Sequence, residues 1–251
     1  MNLSISSATV KEALGVRDCL SSRSIRLNIL AIDTSTEACS AALLRSDGQV
    51  FSEFEVTPRQ HTRYLPLMMD AVLAAANLSK QSLTHCAFAN GPGAFTGIRI
   101  AAASIQGVSM GLNIPVVQIS TLAVLAQTCF DRYAVDNAVV ALDARMNEVY
   151  WARYSVDENR LAILQGEEKL SNLDDVLFDS TPACGVGHGW SIAPESWLKS
   201  DADIKVDSHL LPDARSLLKL ARQAVVENHT VSAENTSINY LRNQVASKPR
   251  H

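Results

Sequence analysis

Two short stretches of this chain carry residue types that chemistry could use. Asp33-Thr34-Ser35 puts a carboxylate and two hydroxyls at the end of an apolar run. Gly91-Pro92-Gly93-Ala94-Phe95-Thr96-Gly97-Ile98-Arg99 packs three glycines and a proline ahead of a long apolar segment. Glycine permits positive φ and close approach, and a helix starting near Thr96 points its free N–H groups into the turn before it. Such a turn either receives an anion or packs against another backbone. Asp33 likewise has two uses: it holds a hydrated magnesium beside a phosphate, or it binds nearby backbone N–H groups and closes its own turn.

Other candidates carry less chemistry. Gly185-Val186-Gly187-His188-Gly189 lacks the Lys-Ser/Thr of a phosphate loop and the full dinucleotide fingerprint, so it reads as a strand-to-loop turn at a cleft edge. His61, His85, His188 and His209 fall on expected loops without metal-ligand spacing. Arg99 lies in the first turn of its expected helix, where its charge opposes the positive end of the macrodipole; this calls for an acidic partner such as Asp33 or Asp143. Met146 and Tyr150 read as packing between lobes, and Glu148 has no base or metal ligand near it in sequence.

Composition narrows the classes. The 251 residues are 47% hydrophobic with a formal net charge of −4, enough for a sizeable core and unfavourable for direct binding to nucleic acid over the whole surface. Lys248-Pro249-Arg250 is the one local basic hint. Cys19, Cys39, Cys86, Cys129 and Cys184 form no CxxC pair, which reads as reduced thiols in a cytoplasmic protein. Ile100 to Phe130 contains no charged residue, yet Gln106, Asn113, Gln118 and Gln127 and the break from Gly111 to Pro115 mark it as helix, strand, helix rather than a membrane span. Residues 1–26 are Ser-rich without a continuous apolar core, and read as a disordered extension or a start site placed too early.

The positioning elements follow from periodicity. Leu27 to Asp33, Cys39 to Leu44 and Val50 to Thr57 read as three antiparallel strands, with Asp47-Gly48 a hairpin turn. Leu65, Met68, Met69, Val72, Leu73 and Ala76 recur at helical spacing, giving a helix from His61 to Ala76. Cys86 to Ala89 is a buried strand, followed by a helix from Thr96 to Gly111, a strand from Val116 to Ile119 and a helix from Thr121 to Phe130. Val139 to Asp143 repeats the strand that ends in aspartate, and Val149 to Val156 is its hairpin partner. Leu161 to Gln165 reads as a strand, Leu173 to Phe178 as a short helix and Ala214 to Glu227 as a long one. The pattern predicts a duplicated α/β architecture: an extension at 1–26, a first lobe at 27–130, a second lobe at 131–212, and a closing helix and tail at 213–251.

Ala31-Ile32-Asp33-Thr34-Ser35, the Gly91 to Arg99 stretch, Asp143-Ala144-Arg145-Met146 with Glu148-Val149-Tyr150, and Tyr240-Leu241-Arg242 together resemble the bacterial TsaB (YeaZ) family over roughly Leu27 to Ala246. The resemblance implies an actin-like, ribonuclease H-like two-lobe fold with mixed sheets. It also implies a role in making N6-threonylcarbamoyladenosine beside the anticodon of tRNA, with a TsaD homologue as direct partner. The TsaE ATPase and tRNA are then engaged through that complex, and the chain pairs with itself when alone. Nucleotide-using members of the wider fold have glycine where this chain has Ser35, so Asp33, Thr34 and Ser35 are expected to form a vestigial phosphate hairpin. No cofactor is expected beyond weak or interface ATP or ADP. The metal-binding histidine pair of TsaD falls here on Thr121 and Leu125, so neither that metal site nor a metallopeptidase site is expected. One departure is Ile238, where relatives often have proline.

Binding is therefore the expected work. The helix after the glycine-rich turn is small or apolar on nearly all sides, through Ala101, Ala102, Ala103, Gly107 and Gly111 with Ile98, Ile105, Val108 and Met110. Together with Met68, Met69 and Val72 on the preceding helix it is expected to form a docking surface, with Gly91, Pro92, Gly93, Phe95, Thr96, Gly97 and Arg99 setting its angle. The competing class is an ATP-dependent phosphotransferase of the sugar-kinase type, which needs a working phosphate hairpin.

Overall fold

The computed structural model describes residues 27–176, 183–197 and 204–242. The extension at 1–26, Asn243 and the tail Lys248-Pro249-Arg250 lie outside the described residues. Within them, β1 (Ile29–Asp33), β2 (Ala38–Leu44) and β3 (Val50–Val56) form an antiparallel meander, and β4 (His85–Ala89) and β5 (Val116–Ile119) add parallel to β1, in the order β3-β2-β1-β4-β5. Asp47-Gly48 makes the expected turn, with Gly48 at φ +89° and its N–H donating to the Arg45 carbonyl at 2.8 Å.

Parallel neighbours need crossover connections, and α1 (His61–Ala75) and α2 (Phe95–Leu112) supply them on one face of the sheet. Leu65, Met68, Met69 and Val72 of α1 and Ala101, Ala102 and Ile105 of α2 share one core with Leu30, Ile32 and Phe88. The other face is covered by α4 (Ala214–Val226), whose Leu217, Leu218 and Ala221 pack on Ile29, Ala31 and Ala42. Helices on both faces bury β1 completely, which is why its sequence is continuously apolar rather than alternating.

The second sheet repeats this topology. β6 (Asn137–Arg145), β7 (Glu148–Val156) and β8 (Ala162–Asn172) form the meander, while β9 (Cys184–Val186) and β10 (Lys205–Asp207) add parallel to β6. Reading from the meander edge, both sheets have the same strand order, so the chain holds two copies of one α/β design. Between the two, α3 (Thr121–Arg132) turns Leu122, Leu125 and Cys129 toward the second sheet and Val124 toward the core beneath α4. The expected lobe limit after Phe130 thus separates α3 from a sheet that it packs on.

Three local expectations are corrected. β8 runs on to Asn172 rather than stopping at Gln165, because it pairs with β7 as far as Glu148↔Asn172; as an exposed edge strand it carries Glu167, Glu168 and Lys169, which hide its extended character. The expected helix at Leu173 to Phe178 is one 3₁₀ turn at Leu173–Asp175, with residues 177 and 178 outside the described residues. The start of the expected glycine loop is strand β9, too short to show a period.

Candidate functional site

Both copies of the design end their first strand in the same turn. Asp33 Oδ1 accepts the N–H of Ser35 at 2.7 Å, and Asp143 Oδ1 accepts the N–H of Arg145 at 2.7 Å. The Ser35 hydroxyl also donates to Asp33 Oδ1 at 2.6 Å, so this side chain turns back on the aspartate instead of blocking a ligand. Asp33 Oδ2 is buried without a hydrogen-bond partner among the described residues. Burial pushes the Asp33 carboxyl up to about 6, against the hydrogen bonds from Ser35, which lower it.

The glycine-rich turn packs against this hairpin. A Cβ on Gly93 would stand 2.3 Å from the Ser35 carbonyl oxygen, and one on Gly97 would stand 1.9 Å from that of Thr34. The Ala94 N–H donates to the Ser35 carbonyl at 2.7 Å, and the Thr34 hydroxyl donates to the Gly97 carbonyl at 2.8 Å. The Ser35 and Thr34 carbonyls thus fill the space that the two glycines leave between hairpin and helix. Gly91, at φ +101° before the cis Gly91–Pro92 peptide, accepts the N–H of Thr121 and so fixes the start of α3 as well.

The positions that the TsaD histidines would occupy are core. Thr121 and Leu125 are fully buried, and a Cβ on Gly187 would come within 2.9 Å of Leu125 Cδ2. Among the described residues no three His, Cys, Asp or Glu side chains converge as metal ligands. His61 and His85 begin α1 and β4 rather than lying on loops. His188 opens a 3₁₀ turn, where its Nδ1 accepts the Asp143 N–H at 2.9 Å and burial lowers its pKa. The Gly185 to Gly189 stretch is held against β6: a Cβ on Gly185 would strike the Trp190 ring, and one on Gly189 the Ala141 backbone.

A cleft of about 910 Å³ opens beside the two turns. Ser35, Gly93, Phe95 and Arg59 line it from the first-sheet side, Asp143, Arg145, Tyr150 and His188 from the second, and Asn239 to Arg242 across its mouth. The closing segment ties the two halves. The Asn239 N–H donates to the Asn90 carbonyl at 2.8 Å and its amide side chain to Glu168 at 2.9 Å. Arg242 pairs with Glu148 at 2.5 Å and donates to the Ala144 carbonyl at 3.0 Å. Ile238, partly buried, packs on the first core.

Several expected roles change. Among the described residues Arg99 has no carboxylate partner; its guanidinium stacks 3.2 Å from the Phe95 ring centroid and 5.5 Å from that of Tyr240. Met146 is exposed at a hairpin tip near Arg242 rather than packed between lobes. Met68, Met69, Val72, Ala102 and Ile105 are buried on their own sheet, so they cannot be the surface of a docking site. The outward face belongs to Leu67, Ala71 and Ala74 on α1 and to Ala103, Gly107, Met110 and Gly111 on α2, with Leu67 62% and Met110 64% exposed. Sequence reading missed Arg59, Glu168 and Asn239. Nothing local to them marks a cleft formed by segments far apart in the chain.

A family model described as TsaD, tRNA N6-adenosine threonylcarbamoyltransferase, matches residues 54–187. The chain is 39% identical over 229 residues to the tRNA threonylcarbamoyladenosine biosynthesis protein TsaB of Escherichia coli, covering 88% of this chain and 97% of that one. It is 36% identical over 233 residues to the Haemophilus influenzae TsaB, covering 88% and 96%. A solved YeaZ structure from Pseudomonas aeruginosa matches with a TM-score of 0.79 at 37% identity, covering 86% of this chain and 100% of that one.

Proposed function

This chain belongs to the TsaB (YeaZ) family and acts in tRNA threonylcarbamoyladenosine biosynthesis; on that premise we propose that it is a non-catalytic subunit that holds a TsaD homologue in its working arrangement. The observation that supports this reading is the contact of Gly93 and Gly97 with the carbonyls of Ser35 and Thr34, which uses the glycine-rich turn to lock hairpin and helix together. The turn launches α2 at a fixed angle.

The outer faces of α1 and α2 receive the partner. Gly107 and Gly111 have nothing within 4 Å of an added Cβ, so the fold of this chain has no use for glycine there. A mid-helix glycine costs about 1 kcal/mol relative to alanine, a cost offset by close approach of another helix. When the TsaD homologue is absent the same face pairs two copies of this chain. TsaE and tRNA are then engaged by the assembled complex, and the work is cytoplasmic. Among the described residues no helix is long and apolar enough to cross a membrane.

Co-expression with the cognate TsaD homologue and size exclusion tests the reading. Co-elution that is lost in Gly107→Arg, while the thermal midpoint of the isolated chain is not lowered, supports it. Persistent separate elution of the unaltered pair, or turnover of Mg-ATP by this chain on a small acceptor, overturns it.

A further inference from the structure

The most unusual exposed group lies at the cleft mouth, away from the outer faces of α1 and α2. Phe95, the first residue of α2, is 59% exposed, and Tyr240 on the closing segment is 43% exposed. Between them the Arg99 guanidinium stacks on the Phe95 ring and donates to the Phe95 carbonyl at 3.2 Å. With Arg99 also 5.5 Å from the Tyr240 ring centroid, the three side chains form one exposed cation–aromatic ladder.

The cleft below supplies cations from both sides. Arg59 has no ion pair among the described residues. Arg145 pairs with Asp143 at 2.9 Å, but its side chain is 87% exposed, and such a pair contributes about 1 kcal/mol at most, so an incoming phosphate can displace it. Arg242 is held by Glu148 and is not counted.

We propose that the Phe95–Arg99–Tyr240 ladder seats one unpaired base of an RNA strand, whose flanking phosphates are taken by Arg59 and Arg145 from the two sides of the cleft. Stacking on aromatic and guanidinium planes selects unstacked bases over a duplex. The net charge of −4 disfavours sequence-independent binding to the backbone elsewhere, which leaves this local site as the place of contact. The inference rests on the reading that the chain works in a complex that modifies RNA.

The test measures fluorescence anisotropy of a labelled RNA hairpin with an unpaired loop, and of a blunt RNA duplex, against the full-length chain alone and with its TsaD homologue. Phe95→Ala and Tyr240→Ala should each weaken hairpin binding by roughly five- to 150-fold, the range of base–aromatic stacking, and leave duplex binding unchanged. Phe95→Trp should restore it, while Arg222→Ala, which removes an exposed charge from α4, should leave it within about twofold, as expected for a charge outside the site. Unchanged hairpin binding in Phe95→Ala, equal losses on hairpin and duplex, or full displacement by AMP overturns the inference. Size exclusion of the same samples separates the two readings. Co-elution with no effect of Phe95→Ala removes the base site alone, whereas separate elution removes the partnership, and binding to the isolated chain still judges the ladder.

Discussion

The carbonyl oxygen of Thr34 lies 1.9 Å from where a Cβ on Gly97 would stand, and the Thr34 hydroxyl returns a hydrogen bond to the Gly97 carbonyl at 2.8 Å. These two residues bring the first hairpin and the start of α2 into direct backbone contact. The opposing atom is backbone and cannot swing aside. Gly97→Ala should therefore cost about 2–3 kcal/mol or more, lowering the thermal midpoint by roughly 5–12 °C. A melt of Gly97→Ala indistinguishable from wild type would refute the contact.

Gly107 sits ten residues further along the same helix and is predicted to behave in the opposite way. With open space around its added Cβ, Gly107→Ala should stabilise the isolated chain by about 0.5–1 kcal/mol, since alanine loses less backbone freedom in a helix. Ile105→Arg puts a charge into the core and should unfold the chain, which separates the buried face of α2 from the exposed one. Chemical denaturation of the two variants decides whether the faces are assigned correctly.

Asp33 makes a pH-dependent prediction. Its folded pKa of about 6 stands above the ordinary carboxylate value of 3.8, so below the lower value the carboxyl is protonated and its burial carries no charge penalty. As pH rises through 6 the charged form is penalised and stability is lost, by about 2–3 kcal/mol at about 1.4 kcal/mol per unit. Asp33→Asn keeps an acceptor for Ser35 without the charge. Its stability advantage over wild type in urea melts should be small near pH 4, grow toward pH 6 and level off above about pH 7. An advantage that does not change with pH would exclude burial of the charge as the cause.

Arg242→Ala removes the ion pair to Glu148 and the bond to the Ala144 carbonyl. Both side chains of the pair are less than a third exposed, so a loss of about 1–2 kcal/mol is expected, concentrated in opening of the closing segment. Amide hydrogen exchange should quicken at Asn239, whose N–H is bonded to Asn90, and stay unchanged in β1. Uniform quickening would mean that the segment does not act as a tie between the two sheets.

Much of the framework was legible from local pattern. The turn at Asp47-Gly48, the repeated strand ending in aspartate at Asp33 and Asp143, and four helices within a few residues of their observed ends follow from turn chemistry and 3.6-residue spacing. β9 and β10 were illegible because three residues carry no period, and the full length of β8 was hidden by the charged residues of an exposed edge. At the candidate site, Asp33, Ser35 and the glycines were visible, whereas Arg59, Glu168 and Asn239 were not. The bond from Asn239 to Glu168 joins residues 71 apart in the chain.

The sequence by itself determined the long helices and the first strands of each half, that one design occurs twice, and that some group must approach Gly93 and Gly97 closely, because each of these leaves a mark in local pattern. Tertiary structure decided what makes that approach. Thr34 and Gly97 are 63 residues apart, and no local preference tells a phosphate from a carbonyl at that distance. It also decided which face of an apolar helix meets the sheet. Met68, Met69 and Ile105 were taken into the core, and Leu67, Gly107 and Met110 were left to solvent, because one sheet can cover only one side of each helix.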